Sequence, residues 1–259
     1  MELTVRCAAG SDAGLVRENN EDSAYAGRWL CAVADGLGGH VGGEVASAIA
    51  IQSLRSWDAE VRPENLAAAL EQAVGEANDL LRRAVEDDPA LDGMGTTLTA
   101  MLWSGSRAAV AHVGDSRAYL LREGALHQIT EDHTLANVVD DLAASPWLGH
   151  MLVRFLGGQP DHSPDLAARE LLLGDRYLLC SDGLTGAVDD EVIAKVLVTE
   201  TDAAAAVRRL IDLANESGGP DNITVVIADV TEAGREPVPA QPVTVGAAAG
   251  PGLLPGSQS

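Results

Sequence analysis

The stretch VADGLGGHVGGEVAS, residues 33–47, joins a predicted buried strand to a predicted helix through a loop with few side chains. The apolar run at residues 29–34 predicts the strand, which ends on a carboxylate, Asp35. A carboxylate at a strand end costs several kcal/mol to desolvate unless a cation or hydrogen-bond donors meet it. The glycines after Asp35 would let backbone carbonyls and water approach such a cation closely. The stretch therefore predicts a ligand site between strand and helix.

Outward from this stretch, short strands outnumber helices and cluster along the chain. A tight hairpin is predicted at Glu123-Gly124, and residues 133–160 are expected to be irregular. Because strands do not alternate one-for-one with helices, the pattern favours an α+β fold of antiparallel sheets with segregated helices. The predicted strands are 3–9, 29–35, 96–103, 108–113, 117–122, 125–129, 175–181 and 222–230, and the predicted helices are 43–58, one starting near Pro63, 189–198 and 202–215.

Composition narrows the class of protein. The chain has 259 residues, of which 46% are apolar and only 3% aromatic, so the core must be built from Ala, Val, Leu and Ile. A net charge of -22 argues against nucleic acid or an anionic membrane as the main partner. Neither a signal peptide nor a membrane span is evident, and the spacing of Cys7, Cys31 and Cys180 favours reduced thiols, so a cytoplasmic protein is expected. The Pro-, Ala- and Gly-rich segment 231–259 is predicted to be a disordered tail after a domain at 1–230.

Four further aspartates share the context of Asp35, since each lies at a predicted strand edge. They are Asp22, Asp115, Asp182 and Asp221. A single such Asp is more simply an Asx turn or a helix cap. Several that converge would repel one another unless cations bind between them, and an all-oxygen set favours Mg²⁺ or Mn²⁺ over zinc.

Seven motifs in order then identify a resemblance. They are RENNEDS, VADGLGGHVGGEVAS, GMGTTLTAMLW, AHVGDSRAYLLREGALHQIT, EDHT, GDRYLLCSDGL and GGPDNITVVIADV. Across residues 4–230 the chain resembles the bacterial metal-dependent protein serine/threonine phosphatases of type 2C, the PPM family. The resemblance implies a four-layer α/β/β/α sandwich of two antiparallel sheets flanked by helix pairs, with a metal centre at one end.

The same resemblance implies a set of metal-site residues. Two Mn²⁺ or Mg²⁺ ions are expected, with a third, weaker ion in addition. Asp35 resembles the carboxylate that bridges the two ions, and the Gly36 carbonyl would ligate one of them. Asp182 and Asp221 would ligate the other ion, and Asp22 would hold metal-bound water. Asp115 resembles a ligand of the third ion, although its position also suits a turn cap.

The resemblance further implies an enzyme that hydrolyses phosphoserine and phosphothreonine in proteins by direct attack of a metal-bridging hydroxide. Arg17 would bind phosphate through its planar guanidinium, with a surface ion pair as the alternative. His40 is the candidate acid for the leaving oxygen, or else it hydrogen-bonds metal water or a carboxylate. The other histidines are assigned no chemistry, and His127, His150 and His162 are interpreted as surface residues.

The segment that bears on substrate selectivity is the flap near the expected active site. The flap segment between EDHT and LVRFLGG is shorter than in relatives, although Arg154 matches the family's usual arginine. The expected partners are phosphorylated Ser/Thr proteins and an opposing Ser/Thr kinase, and a monomer is expected. A regulatory phosphatase with one dedicated partner, and a non-catalytic phosphoprotein-binding pseudophosphatase, are the alternatives.

Overall fold

A computed structural model of the chain describes residues 2–38, 42–139, 146–160, 162–234 and 242–250. Within them the strands are β1 (Leu3–Asp12), β2 (Ser23–Ala26), β3 (Leu30–Ala34), β4 (Gly36–Leu37), β5 (Gly95–Thr96), β6 (Leu98–Ser104), β7 (Arg107–Val113), β8 (Arg117–Arg122), β9 (Ala125–Gln128), β10 (Asp165–Glu170), β11 (Arg176–Cys180), β12 (Ile223–Glu232) and β13 (Val243–Gly246). The α-helices are α1 (Gly42–Arg55), α2 (Leu66–Asp87), α3 (Asp182–Thr185), α4 (Asp190–Thr199) and α5 (Ala203–Glu216). Short 3₁₀ turns include Pro146–His150 and Ala247–Ala249.

Two antiparallel sheets form the centre of the molecule. The first has the strand order β1-β12-β11-β8-β9, and the second has the order β10-β7-β6-β3-β2-β13. Strands β4 and β5 form a separate two-stranded sheet. The predicted hairpin turn is present, because Glu123 and Gly124 have φ of 54° and 80°, the left-handed values that a type I′ turn requires at its two central residues.

Three apolar layers hold the sheets and helices together. Alternate residues of the two sheets, such as Val33, Met101 and Val226, pack between the sheets. Helices α1 and α2 cover the outer face of the second sheet, and α3 to α5 cover the outer face of the first. The predicted α+β class and four-layer sandwich are thereby confirmed.

The helical periodicity of the sequence translates directly into burial. The predicted stripe of α2 is buried throughout: Leu66, Leu70, Val74, Ala77, Leu81 and Ala84. Helix α5 begins where the Asp202 carboxylate accepts a hydrogen bond from the Ala205 N–H at 2.7 Å, which satisfies one free amide of the first turn. Among the described residues no helix is both long enough and apolar enough to cross a membrane.

Some elements differ from the sequence prediction. The first helix ends at Arg55 rather than at residue 58, and β2 and β10 were not predicted. Each of these strands is short and contains charged or small residues, so neither gives a clear alternating pattern.

The prediction of disorder across 231–259 is wrong for residues 231–232 and 242–250. Strand β12 continues to Glu232, and β13 pairs with β2. The main-chain groups of β13 form hydrogen bonds with the otherwise open edge of β2. This backbone pairing orders the strand, whatever the composition of the segment around it. The rest of that segment, 235–241 and 251–259, lies outside the described residues.

Candidate active site

One cavity of about 360 Å³ opens at the end of the sandwich where several strands stop. It brings together most of the residues predicted for the site: Arg17, Asp35, Gly36, Asp115, Asp182 and Asp221. Each aspartate is positioned by the edge of a strand, Asp35 after β3, Asp115 between β7 and β8, Asp182 after β11 and Asp221 before β12. Asp22 lies before β2 and is fully buried. His40, the predicted acid, falls outside the described residues.

The main chain of Asp35 is fixed by two threonines. Its N–H donates to Thr97 Oγ1 at 3.0 Å, and its carbonyl accepts from the Thr97 N–H and from Thr96 Oγ1, both at 2.9 Å. Thr97 Oγ1 also lies 2.6 Å from Ser116 Oγ, beside Asp115. One threonine thus ties together the loops that carry two of the acids.

The glycine-rich sequence after Asp35 has a cause in the packing of the backbone. A Cβ on Gly36 would lie 2.2 Å from the Gly43 carbonyl oxygen, and a Cβ on Gly43 would lie 2.2 Å from Glu21 Oε2. These distances are far below any tolerated contact, so the start of α1 can approach the Asp35 loop only without side chains. Close backbone packing is therefore one cause of the glycine-rich sequence, in addition to any ligand.

Asp22 is a buried carboxylate without full compensation. Its Oδ2 accepts a hydrogen bond from Ser181 Oγ at 2.7 Å, whereas its Oδ1 has no hydrogen-bond partner within the described part of the chain. Burial raises its pKa to about 8, and the hydroxyls of Ser181 and Thr224 offset only part of that effect. A nearby cation would stabilise the charged form.

Burial and mutual repulsion also affect the acids in the cavity. The pKa of Asp35 is raised well above its usual value, first by burial and then by the charges of Asp22 and Asp182. Burial and then the charge of Asp221 raise the pKa of Asp182, and the charge of Arg17 offsets part of that rise. Burial, followed by the charge of Asp182, raises the pKa of Asp115 to about 7. Carboxylates pushed together in this way fit a site for hard cations, which prefer oxygen ligands.

The acids nevertheless do not form a finished ligand set. Among the described residues, no three His, Cys, Asp or Glu side chains group closely enough to hold a metal ion as they stand. Asp221 is paired with a cationic side chain instead, since its Oδ2 accepts a hydrogen bond from Arg17 Nη2 at 2.8 Å. The Arg17 side chain is 54% exposed, and this ion pair raises its pKa. The ion pair that was the alternative for Arg17 is present, and binding of phosphate by Arg17 stays a prediction.

The Asp115 loop is braced by a histidine that sequence reasoning left without a role. The Gly114 N–H donates to His133 Nδ1 at 3.0 Å, and His133 Nε2 lies 3.0 Å from Asp165 Oδ2. Arg154 Nη1 donates to the other Asp165 oxygen at 2.8 Å. The motif EDHT thus links the segment after the flap to the loop of Asp115.

The cavity lining also contains residues that the sequence analysis did not predict for the site, among them Asn222 and His150. Asn222 Oδ1 accepts from the Glu21 N–H at 2.8 Å, and its Nδ2 donates to the carbonyls of Ala13 and Asn19 at 2.9 and 2.8 Å. It therefore holds the loop that carries Arg17, and its place in the motif PDN was the available signal. His150, interpreted from the sequence as a surface residue, is exposed but lines the cavity. No local pattern could show this, because the cavity is lined by residues from distant parts of the chain.

Comparison with known proteins agrees with this geometry. Residues 14–226 match the family described as Protein phosphatase 2C. The chain is 47% identical over 255 residues to the serine/threonine protein phosphatase PstP of Mycobacterium tuberculosis, covering 96% of this chain and 49% of that relative. It thus spans about half the length of that relative. It is 34% identical over 244 residues to the serine/threonine phosphatase stp of Listeria monocytogenes, covering 87% of this chain and 97% of that one.

A solved structure is similar throughout the fold. The catalytic domain of PstP, solved in complex with two manganese ions, superposes with a TM-score of 0.83 at 50% identity, covering 89% of this chain and 100% of that chain. The motifs, the sandwich and the extent of these matches lead to one conclusion: the chain belongs to the protein phosphatase 2C family.

Proposed function

We propose that the chain is a metal-dependent protein phosphatase that hydrolyses phosphoserine and phosphothreonine in other proteins. The observation that carries the proposal is the convergence of four aspartates and Arg17 on one cavity of about 360 Å³. The names of the relatives, which are serine/threonine phosphatases, support it.

The donor set favours Mn²⁺ or Mg²⁺, because the cavity offers carboxylate and carbonyl oxygens. Asp35, Asp182, Asp221 and the carbonyl of Gly36 would hold two ions, as in the relative solved with two manganese ions. Asp115 would bind a third ion, and Asp22 would hold metal-bound water. Divalent cations bound here supply positive charge against phosphoryl oxygens and a water of lowered pKa.

Arg17 is placed to bind the substrate phosphate at the rim of the cavity. Its ion pair with Asp221 is largely exposed, and such pairs contribute only about 0–1 kcal/mol. A phosphate dianion offers the guanidinium two oxygens in place of one, so exchange of partners is favourable. His40 remains our proposed proton donor to the leaving serine or threonine oxygen.

We place this activity in the cytoplasm, opposite a Ser/Thr kinase. The three cysteines support a reducing compartment, since Cys7, Cys31 and Cys180 are all free thiols. The kinase is inferred only from the chemistry, because a phosphatase needs an enzyme that makes its substrate.

The test is hydrolysis of a phosphothreonine peptide with and without Mn²⁺. We expect turnover only with the metal, and loss of most of it in Asp182→Asn, because a neutral amide would weaken cation binding. Asp212→Asn is the matched control, since it makes the same charge change at an exposed position of α5. Undiminished turnover in EDTA, or an Asp182→Asn variant as active as Asp212→Asn at saturating Mn²⁺, would refute the proposal.

A further inference from the structure

Residues 242–250, which we call the C-terminal brace, lie beyond residues 14–226 that match the family. Strand β13 pairs antiparallel with β2, and the pairing sets Gly246 opposite Ser23. The 3₁₀ turn that follows continues the contact. The Ala247 N–H donates to the Asp22 carbonyl at 2.8 Å, and the Ala248 N–H donates to Ser23 Oγ at 3.0 Å. The brace thus holds the two residues at which the buried acid enters the sheet.

The fit at this point is tight. Gly246 has φ +74°, and a Cβ there would lie 2.1 Å from the Asp22 carbonyl oxygen. Ala248 is 4% exposed and belongs to the apolar layer under α1. A segment laid loosely on the surface would show neither a backbone contact that excludes a methyl group nor a buried side chain.

The brace also joins a hydrogen-bond chain that runs toward the cavity. Ser47 Oγ donates to the Glu21 carbonyl, so Ser23 must be the donor in its 3.0 Å contact with Ser47. The direction of donation therefore runs from Ala248 through Ser23 and Ser47 to Glu21, which lines the cavity. The brace and Ser47 thereby fix the main chain of Glu21 and Asp22, the two residues before β2.

We infer that the C-terminal brace is a positioning segment for the site, which sets where Asp22 presents its carboxylate. The inference rests on the proposed function in one respect, that Asp22 faces the cations. Asp22 Oδ1 has no hydrogen-bond partner among the described residues, so the position of this side chain depends on its main chain and on the hydroxyls of Ser181 and Thr224. Groups that orient a metal site from outside typically change metal affinity 10- to 100-fold when altered.

The direct test is Ala247→Pro in the full chain. Proline suits the first residue of a helical turn, but it replaces the N–H that donates to Asp22 with a ring Cδ, so the Asp22 carbonyl, which accepts from this nitrogen at 2.8 Å, is also pushed away. Ala247→Gly keeps that N–H and is the matched control. We expect isothermal titration, well below the melting temperature, to show Mn²⁺ binding weakened about tenfold in Ala247→Pro and unchanged in Ala247→Gly.

Asp22→Asn in the same titration separates this inference from the proposed function. Weaker Mn²⁺ binding in Asp22→Asn with wild-type binding in Ala247→Pro would overturn the brace and leave the proposed site standing. A lower melting temperature in Ala247→Pro without a change in Mn²⁺ affinity would reduce the brace to a purely structural role and overturn it too. Wild-type binding in Asp22→Asn would overturn the role of Asp22 and with it the inference.

Hydrogen exchange of the unaltered protein gives a second test that does not depend on any variant folding. If the brace and the site are coupled, Mn²⁺ should slow exchange of the Ala247 and Ala248 amides several-fold relative to EDTA. The amides of the β8–β9 hairpin, at Glu123 and Gly124, are the internal reference. Equal protection of the brace with and without Mn²⁺ would contradict the coupling.

Discussion

Replacing Asn222 by alanine should be among the more damaging single changes near the site. The side chain is 5% exposed and makes three hydrogen bonds of 2.8 to 2.9 Å. Its loss leaves one N–H and two carbonyls without their partner, and each such buried group costs roughly 1–3 kcal/mol. Because water can enter beside the exposed loop, we expect the lower bound to apply to each. The free energy of unfolding should then fall by about 3 kcal/mol.

The same change should affect function through Arg17. Asn222 bonds to Ala13, Asn19 and Glu21, so without it the loop that carries Arg17 is held less firmly. We expect KM for a phosphothreonine peptide to rise more than kcat falls, because phosphate binding depends on the position of the guanidinium.

Urea denaturation and steady-state kinetics measure both effects. Asn137→Ala is the control, since the side chain of the exposed Asn137 donates a hydrogen bond to the Asp132 carbonyl, and its loss should cost roughly 0.5 kcal/mol. A loss in Asn222→Ala no larger than that in Asn137→Ala, with an unchanged KM, would refute the assignment of Asn222 as the anchor of this loop.

Three other changes test separate parts of the account. Arg17→Ala should raise KM for a phosphopeptide by a factor of roughly 10–100, and an unchanged kcat/KM would remove Arg17 from the site. Gly183→Ala should lower the free energy of unfolding by roughly 1–3 kcal/mol, because its Cβ would lie 2.0 Å from the Asn222 carbonyl oxygen. Gly75→Ala, whose Cβ would have no atom nearer than 3.5 Å, should instead stabilise α2 by roughly 0.5–1 kcal/mol in the same denaturation experiment. Burial, and then the charge of His133, lower the pKa of His112 to about 4 from an ordinary 6.5, so its contribution to stability is fully present above pH 6.5 and is lost as the pH falls toward 4. His112→Gln should remove on the order of 3 kcal/mol of this loss of stability in acid, and parallel curves of stability against pH for both proteins would contradict it.

The sequence was sufficient where one residue pattern determined one structure. The apolar stripe of α2, the Glu123-Gly124 turn and the strands that carry Asp35 and Asp182 each follow from local periodicity or turn chemistry. The convergence of the aspartates on one cavity was predictable as well, although only together with the order of the seven motifs.

Elements that depend on a distant partner were not predictable. Strand β13 is only four residues long and lies in a Pro-, Ala- and Gly-rich segment, and it is ordered by the open edge of β2, more than 200 positions away in the chain. His150 lines the cavity close to the pairing of Thr134 with Leu152, and Asn222 anchors a loop that lies about 200 positions away from it in the chain. In each case the stabilising contact lies outside any window in which periodicity or propensity can act.

The central claim is that the aspartate cavity is a two-metal centre, and the most direct measurement is anomalous diffraction at the manganese edge from crystals grown with Mn²⁺. The account predicts two anomalous peaks inside the cavity, with Asp35 oxygens beside both and with Asp182 and Asp221 beside one of them. These ligands should be oxygen atoms at distances typical of hard divalent cations, about 2.0–2.6 Å. Anomalous peaks only at other surface acids, with Asp35 and Asp182 free of metal, would contradict it.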